Sequence, residues 1–396
     1  MKKRNSRKTD ISGKNFFIAV TSFLMFGLLM IADSTSVSSK NLYGDPYRFV
    51  VLQATWAVAG LVAFYIFYRI DYRSLLKISR SLFLFNMLAL IVLAVVGLMP
   101  CSTSIPFAPC VNGANRWLYL NPPPLPEIPF LGVLGFQPGE LAKLSVIVYL
   151  ASQLSLIFQK DKSAKGKKPF EVYLKITVLM SGLIILQPNM STAAMVFILG
   201  TIIYFVSGAP LKPVLITVPV FLILAILVIV SSPYRMARLK AMVSGEDSSE
   251  SSYHVKQALV ALGSGGFFGV GFGQSKQKYQ YLPEVASDSI FAIIGEEFGF
   301  IGTIVVVFAY ALFIFKGFRI AKKSQDMFGK LVAIGISSWL GIQFFINVAS
   351  MTKLIPMTGV PIPLISYGGS SMVFSLIGLV YWQMFKRIHR WIKSLI

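Results

Sequence analysis

The sequence predicts an all-α polytopic membrane protein with about ten transmembrane helices, both termini cytoplasmic and large extracytoplasmic loops. Three observations carry this reading. Hydrophobic residues make up 55% of the 396-residue chain and charged residues 13%, against roughly 25% charged in an average soluble domain. The apolar runs are too long and too frequent for a soluble chain, so one membrane domain over 16–385 is expected between basic tails 1–15 and 386–396. The net charge of +21 and pI near 9.9 come from basic residues clustered between the apolar runs. Placed there they orient a chain in a membrane, and no nucleic-acid partner is expected.

The N-terminus, MKKRNSRKTDISGK, resembles a signal-peptide n-region, but the span after it has no convincing cleavage site and is read as a retained helix. Apolar segments follow at 16–32, 49–68, 82–99, 138–158, 172–186, 190–206, 213–230, 289–315, 331–349 and 371–385. At 1.5 Å per residue each is about long enough to cross roughly 30 Å of hydrocarbon, a few only marginally. Runs of this length suggest helices rather than barrel strands.

With the N-terminus inside, the inner segments hold 25 basic residues and the outer segments ten, while Lys143 and Lys175 lie within spans. That bias places both termini of the multi-pass chain in the cytoplasm. The inner loop around 160–169 is low in apolar content and expected to be mobile. The outer loops 100–137, 231–288 and 350–370 exceed the length of simple connections and mix Gly, Pro and aromatic residues with charge, so ordered function is expected there. The chain's two cysteines, Cys101 and Cys110, both fall in the first of them, where a disulfide is expected in an oxidising compartment.

The fourth span opens with FQPGELAKL, in which Glu140 and Lys143 share a helix face. They read either as a structural ion pair or as a site for an anionic lipid head. In the third-last loop region, the glycines between Gly263 and Gly273 permit close backbone approach, and a phosphate cradle is one reading of them. No Walker Gly-Lys-Ser/Thr follows, which argues against nucleotide binding. Lys276 and Lys278 come next, read either as snorkelling to lipid phosphates or as neutralising a pyrophosphate leaving group.

The stretch YLPEVASDSIFAIIGEEFGFIG carries four acids at a membrane boundary, where charge is expensive and therefore a functional hypothesis. Asp288 directly precedes a span. It reads as an N-cap, which would depress its pKa, and as an ionised general base; the two readings coexist. Glu284 shares the site if the residues between form a turn. Glu296 and Glu297 lie deeper and are expected to cap or to pair with other helices. His254 is one of two histidines with no second His or Cys at ligand spacing, so nothing suggests tightly bound zinc or a Ser–His–Asp triad.

The last outer loop, IPMTGVPIPLISYGGSS (355–371), resembles the signature of the SEDS (shape, elongation, division and sporulation) family. GANRWL, FQPGELAKL, LQPNMSTA and the 263–302 stretch match in the expected order, and the details look closer to the FtsW branch than to RodA or SpoVE. The resemblance implies a peptidoglycan glycosyltransferase that polymerises lipid II outside the cytoplasmic membrane. Its implied partners are a class B penicillin-binding protein (transpeptidase) and other divisome proteins. It implies Asp288 as the catalytic residue. Substrate contacts are expected from Arg116, Glu140, Lys143, Lys276, Lys278 and Glu284, and from Ser366, Gly368, Gly369 and Ser370 of the signature loop. No tightly bound cofactor is expected, although a divalent cation (Mg or Mn) or the basic groups would stabilise the leaving group.

Two departures stand out. Where the family commonly runs Pro-Glu-x-His-Thr-Asp-Phe, this chain has Pro283, Glu284, Val285, Ala286, Ser287, Asp288 and Ser289, so the histidine is missing. The family's Gln-Pro-Asp appears as Gln187, Pro188 and Asn189. Two rival readings remain, a lipid II flippase and a non-catalytic divisome scaffold. No inverted repeat of broken helices supports the first; the missing histidine keeps the second open.

Overall fold

The computed structural model describes residues 2–395 except 104, 112, 129, 161–166, 244–249, 280 and 325. The inner-loop mobility expected around 160–169 falls largely on residues outside that set. Helices α1 (Lys2–Tyr43), α2 (Arg48–Arg69), α3 (Tyr72–Val96), α4 (Pro138–Lys160), α5 (Lys167–Ile185), α6 (Met190–Val206) and α7 (Lys212–Val230) are followed by two shorter ones, α8 (Pro233–Val243) and α9 (Glu250–Ser264). Then come α10 (Ile290–Lys322), α11 (Met327–Met351) and α12 (Gly369–Leu395). Each apolar segment predicted above falls on one of these helices to within three residues at its ends.

Among the described residues, seven helices are long and apolar enough to cross a membrane: Asn15–Tyr43, Arg48–Arg69, Ser74–Val96, Pro138–Gln159, Lys212–Val230, Ile290–Lys322 and Met327–Met351. The chain is an all-α multi-pass membrane protein. Its centre is formed by α4 and α11, whose Val146, Ile147, Leu150, Trp339, Leu340 and Phe344 are fully buried. A small residue at the crossing lets the backbones close, since Gly335 packs on the Ile147 side chain. The opposite case is α7, none of whose residues is buried, as suits a helix enclosed by lipid.

The first long connection is held by two short antiparallel ladders, β1 (Cys110–Val111) with β2 (Ala114–Asn115) and β3 (Leu118–Tyr119) with β4 (Gly135–Phe136). A disulfide joins Cys101 to Cys110 across a Cα separation of 5.5 Å. The second connection contains α8 and α9, amphipathic pieces too polar to stand out as spans. After α9 the glycine-rich stretch docks on the start of α10, which breaks at Gly299 (φ 67°, ψ −166°).

That docking is backbone to backbone. Val270 and Gly271 amides donate to the carbonyls of Glu296 and Glu297 at 3.0 Å, and Phe300 and Ile301 amides donate back to Gly266 (2.9 Å) and Phe267 (3.2 Å). A Cβ on Gly269 would lie 2.1 Å from the Glu297 carbonyl oxygen, so only glycine permits the approach. The Val270 and Gly271 amides are spent on α10 and that of Gly269 on Gly265, so this part of the stretch serves packing rather than the phosphate cradle expected of it.

Candidate active site

The segment before α10 folds into a tight turn closed on one carbonyl. Ser287 and Ser289 amides donate to the Glu284 oxygen at 3.1 and 3.2 Å, and Glu284 itself adopts a positive φ of 49°. The Ser287 hydroxyl bonds the Glu284 carboxylate at 2.8 Å and lies 3.5 Å from Asp288 Oδ1. The two acids therefore share one site, the condition set for Glu284 by the sequence.

Other elements clamp this turn. Asn347 on α11 donates its side-chain amide to the carbonyls of both Asp288 (2.7 Å) and Val360 (2.8 Å), tying the turn to the signature loop. The Tyr367 amide of that loop donates to the Ala286 carbonyl at 2.8 Å. Gly359 faces the acid, with a Cβ position 3.6 Å from Asp288 Oδ2. Ser191 at the start of α6 holds the Thr358 carbonyl at 3.0 Å, and Arg238 of α8 donates to the Met357 carbonyl at 3.1 Å.

Asp288 is only 7% exposed. Burial pushes its carboxyl up to about 7, the neighbouring Glu284 adds to the rise, and its own backbone amide, Arg238 and Ser287 pull back. This corrects the N-cap reading. The residue at the N-cap of α10 is Ser289, and Asp288 makes no capping bond that would hold its pKa down.

The remaining expected contacts fall in four other places. Lys143 is fully buried and bonds Glu140 (2.6 Å) and Gln343 Oε1 (2.7 Å); Gln343 in turn donates to the Pro361 carbonyl at 2.9 Å. The pair thus joins α4 to α11 and supports the signature loop from beneath. Lys278 is buried between Asp33 (2.6 Å) and Glu297 (3.2 Å), which corrects the picture of a lysine snorkelling to lipid phosphates. Burial pushes Lys278 down, but the two carboxylates more than offset that and raise its pKa above the ordinary value. Glu296 accepts from the Ser275 hydroxyl and the Lys276 amide. Both deep glutamates therefore fasten the 273–278 loop, where the Lys276 side chain stays exposed.

Arg116 reaches the Gln187 and Pro188 carbonyls at 3.3 and 2.9 Å, fastening the first long connection to the start of α6. Asn189 caps α6 by accepting from the Thr192 amide at 3.3 Å, the bond an aspartate would make, so this departure from the family pattern preserves the cap. In the signature loop, Ser366 bonds the Ile362 amide (2.8 Å) and its carbonyl accepts from Gln53 (3.1 Å); the Gly368 amide also bonds Gln53. Ser370 accepts from the Gln137 amide at 3.1 Å, and Gly369 lies against Trp56. These residues hold the loop on α2 and α4.

Three participants were not singled out from sequence: Arg238, Asn347 and the pairing of His254. Asn347 had a signal, a polar amide inside an apolar run. Arg238 and His254 had none, because their proximity to Asp288 arises only when α8 and α9 fold over the turn. Among the described residues no three His, Cys, Asp or Glu side chains stand where they could bind one metal ion.

The family described as "Cell cycle protein", comprising FtsW, RodA and SpoVE, matches residues 14–390. The chain is 33% identical over 392 residues to the protein named "Probable peptidoglycan glycosyltransferase FtsW" of Legionella pneumophila, covering 98% of this chain and 93% of that one. It is 32% identical to stage V sporulation protein E of Bacillus subtilis, covering 90% and 92%. Its fold superposes with a TM-score of 0.72, at 22% identity, on a chain from a structure titled as coordinating polymerization and crosslinking in a peptidoglycan synthase complex, covering 94% and 97%. On this evidence the chain belongs to the FtsW/RodA/SpoVE family of cell cycle proteins.

Proposed function

We propose that this chain is a peptidoglycan glycosyltransferase that polymerises lipid II at the outer face of the cytoplasmic membrane, with Asp288 as general base and with a role in cell division. The observation that carries the reading is a buried carboxyl poised at about 7, where the signature loop, α8, α9 and α11 converge. A base near the working pH combines adequate ionisation with adequate proton affinity.

The step balances on these groups. Asp288 takes the proton from the acceptor sugar's 4-hydroxyl as that oxygen bonds to the donor's anomeric carbon. The bond from that carbon to the polyprenyl pyrophosphate breaks on the opposite side, its electron pair leaves with the phosphate, and configuration inverts from α to β. Of the basic groups first considered, Lys143 and Lys278 are committed to buried ion pairs and Arg116 bonds carbonyls, while the Lys276 side chain is exposed. Arg238, whose charge acts on Asp288, joins Lys276 as a group to meet developing leaving-group charge. A substrate with a lipid tail, a pyrophosphate at headgroup level and sugars beyond suits a site at the end of apolar helices beneath folded loops. The relatives' names and the synthase-complex neighbour support a class B penicillin-binding protein as partner, with FtsW-named relatives favouring division.

The test incubates the purified protein with labelled lipid II, alone and with a class B penicillin-binding protein, and sizes the products. Glycan polymer is expected. Movement of lipid II across liposomes without polymer would replace the reading by a flippase, and partner binding with neither activity by a scaffold.

A further inference from the structure

The loop histidine of the family pattern is absent at Ala286, yet the turn carrying Asp288 is not without an imidazole. His254, from α9, places Nε2 at 2.6 Å from the Ser289 hydroxyl. Ser289 is fully buried, and its Oγ also lies 2.9 Å from the Pro283 carbonyl. A hydroxyl has one proton to give, and the carbonyl can only accept. The Ser289 proton therefore goes to Pro283, and His254 donates from Nε2–H. The result is a directed chain, His254 to Ser289 to Pro283, that spans the turn 283–289 from its first residue to its last.

The two departures from the family pattern are thus linked in space. The position after Asp288, where the pattern has Phe, carries the hydroxyl that receives His254. Burial, with the nearby Arg238 charge adding to it, pushes the His254 imidazole down to about 4, so it is neutral around pH 7 and acts as a hydrogen-bond donor rather than a charge. Asn347 and Tyr367 hold the inner side of the same turn, leaving His254 as the hold contributed by α9.

We propose that His254 is a positioning residue for Asp288, acting through Ser289 to fix the turn in place of the missing loop histidine. This rests on Asp288 being the catalytic base. His254 touches neither substrate nor the reacting atoms; it sets where the Asp288 carboxyl stands and keeps it shielded. The groups bearing on that carboxyl are Glu284 from its own turn and Arg238 from α8, and His254 leaves both in place.

The test compares His254→Ala, His254→Gln, Ser289→Ala and the double variant His254→Ala/Ser289→Ala in lipid II polymerisation, with kcat, KM and the pH profile of each. A small misplacement of a reacting group costs up to about 100-fold, so His254→Ala is expected to lower kcat about 10- to 100-fold with little change in KM. Its acid limb should move to lower pH as the loosened turn admits water to Asp288. His254→Gln, whose amide can still donate to Ser289, should restore most of the rate and return the limb. The double variant should be no worse than either single one. Equal losses in the Gln and Ala variants, additive losses in the double variant, or an unmoved acid limb would overturn the proposal. Asp288→Asn run in parallel separates the two readings. If it retains activity, the base assignment fails; if it is inactive while His254→Ala is normal, only the positioning role fails.

Discussion

Two loops meet at the head of α10, and they handle charge in opposite ways. In the 273–278 loop the buried lysine is matched: Lys278 lies between Asp33 and Glu297, and Glu296 accepts from a hydroxyl and backbone amides. In the 283–289 turn, Asp288 is equally enclosed, but its carboxylate has one long contact from Ser287 and a like-charged neighbour in Glu284. The first arrangement sets a cation between two acids and fastens the fold. The second leaves a buried acid under-compensated, which raises its proton affinity into the range of useful base chemistry. Sequence proximity to the membrane made both sets of acids look functional; a directly bonded lysine marks the first, whereas the nearest ionisable neighbour on the turn of Asp288 is another carboxylate.

The sharpest way to break this comparison is Asp288→Asn. Loss of a general base costs about 10² to 10⁴ in rate, so polymerisation should fall by that much while the protein still purifies folded. Near-normal polymer length and rate would sink the assignment. Lys278→Met should do the reverse. Removing one member of a buried ion pair costs about 3–5 kcal/mol, so the detergent-solubilised protein should melt at clearly lower temperature. Activity per folded molecule, measured below the new transition, should survive; a folded, fully stable but inactive variant would move Lys278 into the chemistry.

The smallest expected effect is on pH dependence. A base must be ionised, so with Asp288 at about 7 the rate should climb from about pH 6 and level off near about pH 8. Glu284→Gln removes the like charge, lowers the Asp288 pKa and should shift the acid limb to lower pH with a modest change in plateau rate. A limb that stays in place would assign it to another group. The sign for stability is opposite. A buried carboxyl whose folded pKa exceeds its unfolded value stabilises fully below about pH 4, and that contribution is lost as pH rises through about 7. Asp288→Asn should therefore flatten the stability–pH profile over that interval.

Much of the fold was legible because a span announces itself locally. Segments 49–68, 190–206 and 213–230 coincide with α2, α6 and α7 to within a few residues, since the hydrophobicity of a continuous run decides its fate without reference to neighbours. The helices α8 and α9 were not legible in the same way: their sequences are amphipathic, and they become helices over the site only by packing. Asp288 and Glu284 could be read as candidates from their place before a span. Their true relation to α10 could not, because Asp, Ser and Asn are all good caps and only the backbone shows that Ser289 takes the position.

Length, apolar runs and the bias of basic residues were enough to determine an all-helical membrane chain and the pair of acids to watch, because these depend on transfer of local segments between water and lipid. Tertiary structure decided which charges are spent and which remain. That Lys143 pairs with Gln343 some 200 residues away, that Lys278 finds Asp33, and that His254 reaches Ser289 are contacts between elements distant in sequence. Burial and hydrogen-bond partners set the proton affinity of Asp288, and both are properties of the packed state.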